Sequence, residues 1–120
     1  MEGQERAAAG QKVLVCVDTI KADKRDAFRR HVEEVKAPAV GAVKPEVHAS
    51  VRLLEAEAPN PDGTWTFVWL MDPASAGEDY EMLPMYEAFY GAERAAELMR
   101  EWDDCHACDQ VCHEVVQTEW

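Results

Sequence analysis

The stretch Thr64 to Met71 (TWTFVWLM) decides the fold of this chain. In an extended strand, successive side chains point to opposite faces of the sheet. One face of this stretch carries large apolar side chains, namely Trp65, Phe67, Trp69 and Met71. The other face carries Thr66, Val68 and Leu70. Both faces are too apolar to be left in water, so we expect this strand to lie in a sheet that is covered on both sides.

Three further segments have the composition of strands. Pro59 to Gly63 (PNPDG) is a strong turn signal, and it separates the strand above from a predicted second strand over Lys44 to Glu57. Lys12 to Ile20 (KVLVCVDTI) is a β-branched apolar run of strand length. Gln110 to Thr118 is predicted as the last strand. The chain therefore provides four strands.

Two helical regions lie between these strands. Apolar residues recur at helical spacing over Lys21 to Lys36, and Pro38 is expected to end this helix. The second region, Tyr80 to Asp104, is expected to start its helix near Glu81 and to be divided at Gly91. The order strand, helix, strand, strand, helix, strand predicts an α+β, ferredoxin-like fold with a four-stranded antiparallel sheet and both helices on one side. A second copy of the chain would cover the other side.

Composition limits the classes of function. The 120 residues suffice for one domain, which we place at residues 12–120 behind a flexible tail over residues 1–11. A net charge of −12 argues against binding nucleic acid or an anionic membrane, because both repel an acidic surface. The tail lacks the pattern of a secretory signal, so we expect a cytoplasmic protein.

In element order and size, and in a sheet apolar on both faces, residues 12–118 resemble the dimeric α+β barrel superfamily. That superfamily includes antibiotic-biosynthesis monooxygenases, small polyketide cyclases, haem-degrading enzymes and stress-responsive barrels. The resemblance implies a homodimer whose two sheets enclose pockets for a small hydrophobic or aromatic ligand. It also implies cofactor-independent proton transfer on an aromatic or polyketide-like substrate, leading to cyclisation, isomerisation or monooxygenation. The alternative is a non-catalytic ligand-binding or stress-response barrel.

The predicted second strand offers candidate catalytic residues. Alternation over Val47 to Leu54 places His48, Ser50 and Arg52 on one polar face, which would line the pocket. His48 could transfer a proton near neutral pH, and Arg52 could stabilise developing negative charge. Ser50 would contribute to substrate binding. The alternative is that Arg52 pairs with a carboxylate such as Asp18 while His48 faces solvent.

Other strands and the second helical region supply further candidates. Asp18, at the end of the first strand, and His113, in the last strand, are additional candidate acid–base residues. The aromatic side chains expected to form pocket wall or core are Trp65, Phe67 and Trp69. Tyr86 and Tyr90 share one helical face and would either close the pocket mouth or pack in the core.

A Cys/His cluster near the C-terminus suggests a metal site. Cys105, Cys108, Cys112 and His113 lie within nine positions, and the first two have zinc-knuckle spacing. However, an extended strand would carry Cys112 about 13 Å beyond Cys108, at about 3.3 Å per residue, and would point Cys112 and His113 to opposite faces. Zinc is therefore not favoured, and we expect no cofactor.

Two other possibilities for these residues also receive little support. The haem-degrading branch of the superfamily resembles this chain at Trp69 and His106, but its first-strand asparagine is absent from KVLVCVDTI. Disulfides are not favoured in a chain without an export signal, and Cys16 is expected to be a small buried side chain. Cys105 and Cys108 could be a redox or thiol-reactive pair, but a helix C-terminus raises the pKa of a thiol, which argues against this.

Overall fold

The computed structural model describes residues 6–74 and 80–119, which form a four-stranded antiparallel sheet with its helices packed on one face. The strands are β1 (Lys12–Ile20), β2 (Val51–Glu55), β3 (Trp65–Met71) and β4 (Val111–Val116), in the spatial order β2-β3-β1-β4. The helices are α1 (Arg25–His31), α2 (Ala37–Val43), α3 (Pro45–Ser50), α4 (Met82–Tyr90) and α5 (Ala92–Cys105). The predicted ferredoxin-like fold is confirmed. Within these two ranges, none of the helices has the length and apolar character needed to cross a membrane.

The core lies between the helices and one face of the sheet. Cys16, Asp18 and Ile20 of β1 are buried there, opposite the buried side chains of β3. Phe28 of α1 is fully buried, and its ring centroid lies 4.7 Å from that of Phe67. The predicted division of β3 into two faces is therefore confirmed, with its aromatic face turned toward the helices.

The first helical region is longer than predicted, and Pro38 does not end it. α1 continues into a π-helical turn, Val32–Lys36, and then into α2, where Pro38 lies in the first turn. In a regular α-helix, proline removes one hydrogen bond and its ring clashes with the carbonyl group four residues earlier. The wider π turn just upstream accommodates this residue, so the helix can continue to Val43.

The second strand is shorter than predicted, and the assignment of its first half was wrong. Pro45–Ser50 forms α3, with Pro45 at the first helical position, where a missing N–H costs little. Val47 and Val51 are four residues apart, a spacing that fits one face of a helix as well as one face of a strand. Burial of Val47 in a cluster with Val40 and Met85 favours the helix.

The second helical region is divided as predicted. α4 begins at Met82, one residue after the expected start, and it ends at Tyr90, directly before Gly91. Gly91 has a φ of +90°, a backbone conformation that residues other than glycine rarely adopt, and it directly precedes α5.

The other face of the sheet carries no helix among the described residues. Register places Val13, Val15 and Val17 of β1 on this face beside the outward residues of β3. The exposed apolar side chains Leu54, Val111 and Val115 extend this surface to both edges of the sheet. We call this surface the open face.

Cys16 and Cys112 form a disulfide bond, so the expectation that these cysteines stay reduced was wrong. The two residues are directly opposite each other on β1 and β4, with Cα atoms 4.0 Å apart. Their separation of 96 residues along the chain gives no hint of this register. Cys105 and Cys108 are free, Cys105 buried and Cys108 exposed.

The predicted N-terminal tail lies partly outside the described residues, which begin at Arg6. Ala7 is buried, and its backbone N–H donates to Asp72 Oδ1 at 2.7 Å. The backbone N–H of Gly10 donates to the carbonyl of Gln117. Residues 7–10 therefore pack against the sheet region.

Candidate functional site

A cavity of about 410 Å³ lies between the helices and the sheet of a single chain. The resemblance implied a pocket enclosed by two sheets, whereas this cavity is on the helix side of one sheet. Its lining is mainly apolar, and comprises Cys16, Val32, Lys36, Ala37, Val40, Val47, His48, Ala49, Val51, Trp69, Met71, Tyr80, Met82, Met85 and Gln110. The polar side chains on its wall are those of Lys36, His48, Tyr80 and Gln110.

Lys36 places a cation in these apolar surroundings. Its Nζ lies 3.8 Å from the centre of the Trp69 ring and 4.8 Å from that of the Trp102 ring, which is cation–π geometry. Burial lowers the pKa of Lys36 to about 8, although the negative charge of Asp18 opposes this effect. Near neutral pH the amine is mostly protonated, and slightly above it a large fraction is neutral.

The π-helical turn explains how Lys36 reaches the cavity. An α-helix advances about 100° per residue, so one additional residue in a turn rotates every later residue by that angle. Lys36 closes this turn. Sequence reasoning missed Lys36 because a π turn has no recognisable spacing pattern.

Trp69 is held by the buried carboxylate of Asp18. Its Nε1 donates to Asp18 Oδ2 at 2.7 Å, and Gln110 Nε2 donates to Asp18 Oδ1 at 2.8 Å. Burial alone would raise the pKa of Asp18, but the contacts with His106, Trp69 and Gln110 hold that pKa below its usual value. Asp18 is therefore an ionised group that orients two cavity-lining side chains.

His106 forms an ion pair with Asp18. Its Nε2 lies 3.2 Å from Asp18 Oδ1, within ion-pair distance. Among the described residues, no acceptor has hydrogen-bond geometry toward this Nε2. Its Nδ1–H donates to the carbonyl of Trp102 at 2.8 Å. Burial would lower the pKa of His106, but Asp18 and this carbonyl raise it above its usual value. Asp18 and the Trp102 carbonyl therefore favour the protonated form of His106.

The structure separates the residues of the predicted polar face, His48, Ser50 and Arg52. His48 does line the cavity, but it does so from α3 and is otherwise exposed. Arg52 does not line it; this exposed side chain pairs with Asp72, at 3.1 Å, and not with Asp18. Ser50 donates to the carbonyl of Val47 at the end of α3. The prediction that the three share one strand face was wrong, because the strand begins only at Val51.

The remaining candidates occupy different places. His113 is exposed on β4, where it is paired with Val15 on the open face. Phe67 is fully buried in the core, and Trp65 lies under the Arg25 guanidinium, 5.0 Å from the ring centre. Of the three predicted aromatic wall residues, Trp69 alone lines the cavity.

Tyr86 and Tyr90 pack within the protein and do not line the cavity. The Tyr86 hydroxyl lies 2.9 Å from His31 Nε2, and Tyr90 donates to the carbonyl of Val35 at 2.6 Å. Burial and the nearby charge of Lys36 lower the pKa of His31 to about 4, so this histidine is neutral and shares a hydrogen bond with the Tyr86 hydroxyl.

The Cys/His cluster does not assemble into a metal site in this structure. Cys112 is in the disulfide, Cys105 is buried in the core and Cys108 is exposed. Over residues 6–74 and 80–119, no group of three or more His, Cys, Asp or Glu side chains has an arrangement suited to a metal ion.

Comparisons with known proteins concern the fold. No family model matches the chain, and no curated protein matches it. A candidate antibiotic biosynthesis monooxygenase from Caulobacter crescentus aligns with a TM-score of 0.49 at 13% identity, over 92% of each chain. HapK from Hahella chejuensis aligns with a TM-score of 0.48 at 13% identity, over 92% of this chain and 96% of its own. A dimeric ferredoxin-like protein of unknown function from Thermobifida fusca aligns with a TM-score of 0.47 at 12% identity, over 97% and 100%.

Proposed function

We propose that this protein is a small-molecule enzyme that transfers a proton at carbon in an aromatic or polyketide-like carbonyl compound bound in the cavity. Cyclisation, isomerisation and monooxygenation can all begin from the enolate that such a step produces. The observation that carries the proposal is the Lys36 ammonium, set against Trp69 on the wall of a mainly apolar cavity.

The cavity suits a planar hydrophobic ligand. Its volume of about 410 Å³ is within the usual range for small-molecule sites, about 300–1,000 Å³. The Trp69 ring offers a flat surface, and Met71, Met82 and Met85 supply adaptable, polarisable contacts. A ligand of two fused rings could enter such a space with one polar atom turned toward Lys36.

Lys36 and His48 supply complementary chemistry. In a low-dielectric cavity, an ammonium group strongly stabilises the negative oxygen of an enolate or phenolate. His48, at the cavity wall, can accept the proton that leaves carbon. Asp18 acts through Trp69 and Gln110, so we assign it a positioning role.

The experiment uses 2-tetralone, an aromatic ketone with exchangeable protons next to its carbonyl. Incorporation of deuterium from D₂O, followed by NMR, measures proton transfer at carbon directly. We expect the wild-type protein to accelerate exchange and the variants Lys36→Met and His48→Gln to lose at least tenfold. Lys24→Met, which alters an exposed lysine outside the cavity, should retain the wild-type rate. Binding without accelerated exchange would support the non-catalytic barrel instead and overturn the proposal.

The proposed enzyme is a homodimer that pairs through the open face. Val68 of β3 lies on this face between Val17 and Leu54, so its apolar side chains are continuous from strand to strand. Leu54 is 47% exposed, and burying such residues against a second copy would remove them from water.

Analytical ultracentrifugation tests the dimer. We expect the wild-type protein to be a dimer. Leu54→Glu should shift the equilibrium toward monomer, because it places a charge in the proposed interface. Leu83→Glu is the matched control, since Leu83 is 41% exposed but lies on α4, away from the open face. A monomeric wild-type protein, or equal effects of both variants, would contradict this interface.

A further inference from the structure

Lys36 differs from the other lysines whose ion pairs the structure describes. Lys12 pairs with Glu114, while Lys21 and Lys24 both pair with Asp104. Within the described residues, no hydrogen bond or ion pair holds Lys36 Nζ, which lies over the rings of Trp69 and Trp102. Its amine is therefore available to a ligand without first leaving a carboxylate.

The charged groups around Lys36 allow its amine to lose a proton near neutral pH. Asp18 on β1 is already balanced by His106, and His31 on α1 is neutral. His48 and Tyr80 face the same cavity. With the pKa of Lys36 lowered by burial to about 8, roughly a tenth of the amine is unprotonated at pH 7 and about half at pH 8. A neutral amine is the form that attacks a carbonyl carbon.

We propose that Lys36 is a catalytic nucleophile that forms an imine with aldehydes or ketones bound in the cavity. This inference rests on the proposed function, because it assigns the same cavity to carbonyl compounds and adds a covalent step. The nitrogen lone pair forms the C–N bond, the C=O π pair moves to oxygen, and a proton passes from nitrogen to oxygen. The hydroxyl oxygen takes one further proton from solvent, the C–O bond breaks to release water, and the nitrogen lone pair forms the C=N bond of the protonated imine. The step needs no oxidant or reductant.

The surroundings favour the product of this step. Loss of water is favoured where the walls are apolar, and the protonated imine carries the same charge as the ammonium it replaces. That cation stays against Trp69 and Trp102 and keeps its cation–π stabilisation. A protonated imine also withdraws electrons more strongly than a ketone, so it acidifies the adjacent C–H bond that the proposed enzyme acts on.

The test is reductive trapping with 2-naphthaldehyde and cyanoborohydride, read by intact mass and peptide mapping. This aldehyde has no exchangeable α-proton, so it reports imine formation separately from proton transfer. At pH 7 we expect Lys36 to be labelled at least about tenfold faster than Lys24, whose pKa is raised by Asp104. The rate at Lys36 should level off above about pH 8, whereas the rate at Lys24 should continue to rise.

Two variants keep the test decisive. Lys36→Arg retains a cation that cannot form an imine, and Lys36→Met removes the charge; in each, the labelled peptide should disappear while thermal unfolding shows a folded protein. Equal labelling of all lysines, or unchanged labelling in a folded variant, would overturn the inference. Deuterium exchange in 2-tetralone without a trapped adduct would refute imine formation and leave the proposed function standing. Trapping without exchange would refute the proton-transfer function and leave the lysine site standing.

Discussion

Replacing Lys36 with methionine should make the folded protein more stable near neutral pH. Methionine has nearly the same length, and it places no charge in the cavity. Burial lowers the pKa of Lys36 from 10.5 to about 8, which means that folding disfavours the protonated form. At about 1.4 kcal/mol per pKa unit, the penalty is about 3 kcal/mol, and loss of the cation–π contacts with Trp69 and Trp102 offsets part of the gain from removing it. We therefore expect a gain of about 1–3 kcal/mol at pH 7.

The pH dependence has a definite sign. Between about pH 8 and 10.5 the unfolded chain holds a proton on this lysine that the folded protein has released, so the stability of the wild type rises with pH over that window. The advantage of Lys36→Met is fully present below pH 8 and should fall to less than about half by pH 9.5.

Urea unfolding without reductant, at pH 7 and pH 9.5, measures both effects. With urea m-values of about 1–3 kcal/mol/M, the gain at pH 7 corresponds to a midpoint shift of about 1 M. Lys24→Met is the control, since Lys24 is exposed and should show no comparable gain. An unchanged midpoint at pH 7, or a gain that is just as large at pH 9.5, would refute the account of Lys36 as a desolvated cation.

Three further predictions concern groups around the core. Lowering the pH from 6.5 to 4 should destabilise the wild type by up to about 3 kcal/mol, because His31 takes up a proton in the unfolded chain but stays neutral in the folded protein. Between pH 7 and pH 4.5, the urea midpoint of His31→Gln should therefore fall by less than that of the wild type. Asp18→Asn should cost about 1.5–3 kcal/mol at pH 7, because it removes the charge that pairs with His106 and accepts hydrogen bonds from Trp69 and Gln110, and an unchanged urea midpoint would contradict this role. Cys112→Ser should cost about 2–5 kcal/mol, and adding reductant should move the wild type to the variant's midpoint without moving the variant.

The sheet could be predicted from sequence because each strand signal is local. The alternation in Trp65–Met71 and the apolar run in Lys12–Ile20 are visible within a few residues. Both became strands, and the first has the expected faces. The strand prediction for Pro45–Ser50 was wrong for an equally local reason. Val47 and Val51 fit either periodicity, and the contacts that decide between them come from α2 and α4.

The candidate site was less predictable, because it depends on the rotational phase of a helix and on the register between two strands. Lys36 reaches the cavity through a π turn, and Cys16 meets Cys112 only through the pairing of β1 with β4. Strand alternation alone fixes the face of Trp69, so the sequence predicted this residue as pocket wall or core, although for a pocket between two sheets. The sequence pattern did not place Lys36 against it.

The contact between Trp69 and Lys36 explains how a buried cation remains usable. A carboxylate beside Lys36 would hold it more firmly, but an anionic ligand would then have to displace that partner. Aromatic faces stabilise the ammonium without neutralising it. Asp18 is used instead to fix the indole through Nε1, 2.7 Å away, and its charge is balanced by His106 on its other side. The negative charge therefore orients the wall of the cavity, and the positive charge of Lys36 is left for the ligand.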